Sequence, residues 1–504
     1  MKNKIILSLL IYFLFYFTAK AVTVSKEDAI HKALTFMNCT DSWASISTFS
    51  ISGTAEMYKV VTNKGWVLLS TEQSIKPILA YSYEDTFPDI EDMPEGMKWL
   101  FTYYEEAIAY AKLHSQEFTN INAWGDDREE EYNTRERVCL TRLGNVKWGQ
   151  CRNNGYSCTN SYNKFCPTFH DVCCDKTSVG CGAVALGQVL WYYEWPHAAL
   201  IPNQMLNDQG QVSSASSYKF YNWSIMPGKI YSTTSTNKVD EVAGLLRDCG
   251  YAERMHYTAD QSTTTVGYVL SALSDCFGYT HAYSTARDSY NRNWVELMKS
   301  EIRNGRPVIY RGAHPAAKGT SDVGHFFVLY GFENNRFQIN WGWAENGDST
   351  FYTLDSLCVN NTHYNNGHYA ILNIEPTYPT CHSVILSSLD QWDTNFLVQN
   401  GGGITMSNRT ISSEMQGGIF SGDYVRLNNF VRINQGASVV IGIRDMHCDD
   451  KERLNAPASP ETTALTTYIK DSMAYVQVVK FLRDGQLFIL RDGKTYTITG
   501  QEVK

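Results

Sequence analysis

The sequence predicts an α+β protein of three consecutive parts: a small α+β domain, a central body with a helical half and a β-rich half, and an all-β C-terminal module. Its 504 residues, 43% of them apolar, suffice for about three packed cores at one per 100 to 200 residues. The hydrophobic period runs from helical to alternating and back to helical before residue 114, and alternates again past Pro376. A charged run at 126–137 and the clusters Gly401-Gly402-Gly403 and Gly417-Gly418 punctuate the chain. The expected boundaries are a leader at 1–21, a first domain with its link at 22–137, the central body at 138–376 and the terminal module at 377–504.

The leader has a positive start, Met1-Lys2-Asn3-Lys4, an apolar run over 5–17 and small residues at Ala19-Lys20-Ala21, so cleavage after Ala21 and export are expected. The apolar run is shorter than the roughly 20 residues a span needs, and no later stretch qualifies, so no membrane span is expected. Ser25-Lys26-Glu27-Asp28 is a capping box ahead of Ile30, Ala33, Leu34 and Met37 at helical spacing. Residues 57–61 and 65–70 read as a hairpin and 77–81 as a third strand. A second helix follows over 94–112, with Met97, Leu100, Phe101, Tyr104 and Ile108 on one face. The charged link at 126–137 is the kind of solvated segment a protease reaches, with Arg135 or Arg137 suited to an activating cut; the alternative is an exposed helix end.

The chemistry begins at Gly180-Cys181-Gly182, where a thiol opens a strongly apolar helix that ends before Trp195-Pro196. Unpaired N–H groups in a first helical turn favour thiolate over thiol. A lone cysteine is more often a small buried hydrophobe, so the case depends on its partners. His325 starts an apolar strand, Gly324-His325-Phe326-Phe327-Val328, and a tight turn at 333–336 leads to a second strand ending at Asn340-Trp341-Gly342-Trp343. In such a hairpin His325 can face Asn340: the imidazole takes the thiol proton and the amide carbonyl fixes its tautomer. Gln150, in Trp148-Gly149-Gln150, can donate an amide N–H to the oxyanion formed by attack on a carbonyl. Gly180 and Gly324 are candidate substrate-binding positions, because glycine lets a peptide backbone come close.

Cys151, Cys158, Cys166, Cys173 and Cys174 crowd between Gln150 and Cys181, and His170 is the one imidazole beside them. The absence of paired C-x-x-C units argues against zinc and for a disulfide-stapled loop that holds Gln150 against the thiol-bearing helix. The 13 cysteines less the nucleophile leave an even 12, compatible with disulfides throughout. No metal or other cofactor is expected. Residues 239–248 and 266–277 read as helices and 306–310 as a strand, and 312–323 is either a flap over the site or a surface loop. Past Pro376, segments 383–386, 426–431, 438–443 and 475–481 alternate in the β manner. The formal charge of -9 argues against nucleic acid as a partner.

These motifs resemble the streptopain family of papain-like cysteine peptidases. The matching segments are Trp148-Gly149-Gln150, Ser178-Val179-Gly180-Cys181-Gly182-Ala183 with its Glu194-Trp195-Pro196 stop, Gly324-His325-Phe326-Phe327-Val328, and Asn340-Trp341-Gly342-Trp343. The resemblance implies a papain-like fold with Cys181 as nucleophile, His325 as base, Gln150 as oxyanion donor, Asn340 as histidine orienter and Trp341 as its shield. It also implies that the first domain is a propeptide, so the expected partners are protein or peptide substrates and the chain's own pro-domain as inhibitor. Gly182 departs from the family, which usually has a larger residue there. Residues 481–504 resemble terminal strands of exported Bacteroidetes proteins, which implies a type IX secretion signal; a hairpin closing the last sheet is the alternative. The expected activity is a secreted cysteine endopeptidase made as a zymogen. A transglutaminase-like acyltransferase shares the same thiol chemistry, and a non-catalytic adhesin or binding module is the reading outside catalysis.

Overall fold

The computed structural model describes residues 23–443, apart from internal segments of which the longer are 115–123, 125–135, 152–157, 314–323, 345–348 and 355–366, together with four strands between 479 and 503. The leader, Arg135, His170 and nearly all of the segment expected as a flap lie outside the described residues.

Helix α1 (Lys26–Phe36) begins as its capping box requires: the Ser25 hydroxyl accepts from the Asp28 N–H at 3.0 Å and donates to its carboxylate at 2.7 Å. Its buried face is Ala29, Ala33, Phe36 and Met37, not the stripe through Ile30 and Leu34. The large Phe36 ring, edge-on to Tyr81 at 4.7 Å, turns the helix that way. Strands β1 (Ala44–Phe49), β2 (Met57–Thr62), β3 (Gly65–Leu69) and β4 (Ile78–Ser82) form an antiparallel ladder. The sequence does not announce β1, because small hydroxyl side chains fill it and none of its residues is fully buried. Helix α2 (Glu95–Leu113) buries the predicted Met97, Leu100, Phe101, Tyr104 and Ile108. Each large apolar side chain buried contributes about 1.5 to 3 kcal/mol.

Strand β5 (Arg137–Cys139) and helix α3 (Thr141–Asn145) lead into the helical half. Helix α4 (Cys181–Tyr193) is buried from Gly182 to Leu190, which accounts for its unbroken apolar sequence. After it, β6 (Ala198–Ile201) pairs with β9 (Ser217–Phe220), and β7 (Gln204–Asn207) pairs with β8 (Gly210–Ser213). Helix α5 (Thr236–Ala252) is longer than expected, running through Cys249 and Gly250. Gly250 is a packing requirement, since a Cβ there would lie 2.1 Å from the Tyr257 hydroxyl. Strands β10 (His256–Tyr257) and β11 (Ser262–Thr263) and helix α6 (Val266–Ser271) complete this half.

The β-rich half holds β12 (Tyr283–Ala286), α7 (Trp294–Arg303), β13 (Val308–Ala313), β14 (Gly324–Glu333), β15 (Arg336–Asn340), β16 (Phe351–Tyr352) and β17 (Tyr369–Leu372). One sheet runs β1-β2-β3-β4-β16-β15-β14-β13-β17-β12, with β5 beside β14. The first domain therefore continues the catalytic sheet, through Ala80↔Tyr352 and Tyr81↔Phe351. One apolar core likewise joins Trp66, Leu100 and Phe101 to Trp294, Phe327, Ile339 and Trp341. The two therefore cannot part without opening the enzyme's core. All five residues of β4 are buried, so the strand needs neighbours on both edges and both faces. Arg137 is exposed but opens β5, where it pairs with Glu333, so a cut after it would sever a laddered strand.

The loop before α4 is stapled as expected by Cys158–Cys174, and Cys151 is also disulfide-bonded. The even count misleads, because Cys166 in that loop and Cys39, Cys139, Cys249 and Cys276 outside it are free thiols. Among the described residues no group of His, Cys, Asp and Glu side chains could hold a metal ion, and no helix is long and apolar enough to cross a membrane.

The terminal module is β-rich, and much of it is parallel. Strands β18 (Val384–Leu386), β19 (Asn395–Asn400), β20 (Ile404–Met406), β21 (Thr410–Ile411), β22 (Gln416–Ser421), β23 (Val425–Leu427), β24 (Arg432–Ile433) and β25 (Ser438–Ile443) stack in three parallel sets. Asn395 pairs with Gln416 and Gln416 with Ser438, so the chain returns to the same face every 21 or 22 residues, a solenoid repeat. The expected strand over 426–431 breaks at Phe430, whose φ is 66°. Four antiparallel strands, β26 (Val479–Arg483), β27 (Gln486–Arg491), β28 (Lys494–Thr497) and β29 (Glu502–Val503), extend the set from β25. Phe420 meets Phe220 of β9 at 5.4 Å, docking the solenoid on the helical half.

Candidate active site

Cys181 is the first residue of α4, entered through Gly180 at φ 92°. A Cβ on Gly180 would lie 2.6 Å from the Met255 methyl, so this glycine answers to both conformation and packing. The sulfur sits where the two halves meet. Its Sγ accepts from the Phe326 N–H of β14 at 3.4 Å and from the Gly182 N–H, and it is hydrogen-bonded to the His325 imidazole. Burial alone would push the thiol up. The positive charge of His325 outweighs it, with these hydrogen bonds, and holds Cys181 below the usual thiol range. For His325 burial acts downward, and the Cys181 charge, its hydrogen bond, the Trp341 carbonyl and the nearby Glu95 together raise the imidazole above its ordinary value. Both shifts favour a thiolate–imidazolium pair.

The orienting acceptor on His325 is the backbone carbonyl of Trp341, 3.4 Å from Nε2. Asn340 does not face the imidazole. The strand register sets Asn340 opposite Val328, three residues along from His325. Its Nδ2 donates to the carbonyls of Leu143 at 3.0 Å and Val146 at 2.7 Å, and its Oδ1 accepts from Gln188 Nε2 at 2.9 Å and the Gly342 N–H at 3.1 Å. The orienter role read from the hairpin is thus corrected: three of the four bonds tie β15 to α4 and to α3 with its cap residue Val146, and the fourth is local, to Gly342. Trp341 is buried, with its ring 4.9 Å from Phe327. Gln150 lies next to the nucleophile segment, where its carbonyl accepts from the Val179 N–H at 2.9 Å. A Cβ on Gly324 would meet the Arg311 guanidinium at 2.5 Å.

Two features have no signal in the sequence. The first turn of α2 rests on the site: a Cβ on Gly96 would lie 2.4 Å from the Trp341 ring and 2.6 Å from His325 Cδ2. Gly182 is small because the Thr264 methyl and the Glu253 carboxyl occupy its side-chain space, at 2.5 and 2.8 Å from an ideal Cβ. The departure at that position is a packing solution and not a loosening of the helix.

Residues 156–352 match the Peptidase C10 family, and residues 21–108 match the Spi protease inhibitor family. The chain is 25% identical over 297 residues to the thiol protease/hemagglutinin PrtT of Porphyromonas gingivalis, a match covering 57% of this chain and 32% of that protein. It thus spans about a third of the length of that curated relative. A prointerpain A fragment of Prevotella intermedia has a similar fold, with a TM-score of 0.50 at 21% identity, covering 66% of this chain and 99% of that one. Active interpain A from the same organism aligns at 27% identity with a TM-score of 0.38, over 47% of this chain and 95% of that one. The chain therefore carries a peptidase C10, or streptopain, family domain, with a Spi protease inhibitor domain ahead of it.

Proposed function

We propose that the protein is an exported cysteine endopeptidase made as a zymogen. The observation that carries this is the thiol at the mouth of α4 paired with His325, both shifted toward the charged forms. In this reading the Cys181 thiolate attacks the scissile carbonyl, Gln150 and backbone N–H groups hold the oxyanion, and the His325 imidazolium gives its proton to the leaving amine. Water, deprotonated by His325, then hydrolyses the thioester. The Trp341 carbonyl keeps the imidazole oriented, and Asn340 braces the strand that carries that carbonyl. The segment 22–137 serves as intramolecular inhibitor, a role supported by Gly96 seated on His325 and Trp341. Export rests on the charged start, apolar run and small residues of the leader.

The test is active-site alkylation with mass-spectrometric mapping, run beside casein cleavage. Wild type should be labelled at Cys181 and lose activity in step, and Cys181→Ala should fold and stay inactive. Cleavage by that variant at a wild-type rate would refute the assignment.

A further inference from the structure

Glu253 follows α5 and is fully buried, and among the described residues neither of its carboxyl oxygens has a hydrogen-bond partner. Its backbone is fixed: the N–H donates to the Cys249 carbonyl at 2.9 Å, and the carbonyl accepts from the Thr264 hydroxyl at 2.8 Å. The carboxyl points to the second residue of α4, where Gly182 leaves room for it. A buried, unpaired carboxyl has to stay protonated, because an isolated ionised group there would cost far more than a neutral one. The titratable groups acting with it are Cys181 on α4, Cys249 on α5 and Tyr257 on β10. None of these is a cation. Arg254 is exposed, since a left-handed backbone at φ 50° turns it outward to lie over the Tyr268 ring.

We propose that Glu253 is a positioning residue for the nucleophile: a neutral carboxyl that fills the space behind Gly182, and whose deprotonation sets a second anion against the Cys181 thiolate. Its proton goes to solvent, and no bond to substrate is made. Burial, and after it the charge of Cys181, holds the group well above the usual carboxylate range, so it stays neutral where a surface glutamate is already ionised. The two groups are coupled reciprocally: each anion makes the other harder to form. Beside the Cys181 thiolate Glu253 therefore keeps its proton to a higher pH than it would beside a neutral thiol. The inference rests on Cys181 being the reactive thiol, and its readouts do not depend on peptide hydrolysis.

In the full chain, the thiolate absorbance of Cys181, taken as the difference from Cys181→Ala, is to be titrated in wild type and in Glu253→Gln. The neutral amide replaces a neutral carboxyl, so the two curves should share the sulfur's midpoint. A midpoint lowered in Glu253→Gln would mean that Glu253 is already an anion when the sulfur ionises, and would overturn the proposal. Infrared spectroscopy of the protonated carboxyl, assigned as the band missing in Glu253→Gln, gives a second measurement: in Cys181→Ala, Glu253 should release its proton about one pH unit lower. Release at the same pH with and without the sulfur would overturn it as well. If Glu253→Gln does not fold, a carboxyl band that titrates lower in Cys181→Ala than in wild type supports the proposal, and the absence of any such shift overturns it. Loss of proteolysis with both titrations as expected would count against the peptidase reading and leave Glu253 in place.

Discussion

His325 and Cys181 hold opposite charges against the pull of burial, and that fixes the sign of the pH response. Activity should rise as pH passes up through the lowered thiol ionisation, and fall as the imidazolium loses its proton above its raised one. Removing the ring in His325→Ala leaves burial dominant, so thiolate absorbance at neutral pH should vanish and return only at alkaline pH; thiolate persisting at neutral pH would contradict the pair. Asn340 and Gln150 separate structural from catalytic roles. Asn340→Ala strands the buried carbonyls of Leu143 and Val146, and should cost about 3 kcal/mol in denaturant unfolding with the acid–base profile unchanged. Gln150→Ala should keep stability and KM while lowering kcat by about 10²- to 10³-fold. An Asn340→Ala protein of normal stability and shifted pH profile would restore the orienter role. The Cys181 and His325 positions were legible from residue type and order, whereas the acceptor on His325 was not, since any residue can supply a backbone carbonyl.

Helix α2 shows how one element serves two ends. Its apolar face was legible from spacing alone, and that face forms the core shared with β13 to β15. The inhibitory contact lies in its first turn, where only a glycine fits between the helix and the rings of His325 and Trp341. Gly96→Leu should push that turn off the site, so that Cys181 in the uncut precursor is alkylated faster than in wild type. Equal alkylation rates would mean that the turn does not guard the thiol. In the solenoid, by contrast, the alternation showed strands and nothing more. Parallel stacking is set by register between coils, and the 21- to 22-residue return carries too little side-chain regularity to stand out.

The whole molecule is organised by one sheet that crosses the boundary between inhibitor and enzyme. Strand β5 stays laddered to β14, and Glu136 just before it pairs with Arg303 at 2.5 Å, so the activating cut is expected between 115 and 135. Such a cut leaves every described ladder intact. The nicked inhibitor domain should therefore remain bound through β4–β16 and the joint aromatic core, at an interface more like a domain interior than a linker contact. Size exclusion of Cys181→Ala precursor nicked in trans tests this: the two pieces should co-elute, and separation without denaturant would show that the joint sheet does not hold them.

The sequence by itself determined the thiol and imidazole and their order along the chain, because a thiol opening an apolar helix and a histidine opening a strand are local patterns of residue type. It also determined the helices, whose period is written in consecutive residues. Tertiary structure alone decided which carbonyl orients His325, why residue 182 must be glycine, that a buried carboxyl lies behind the thiol, and that inhibitor and enzyme share a sheet. Each of those depends on distance between segments far apart in the chain, and register, close approach and burial arise only when the segments pack.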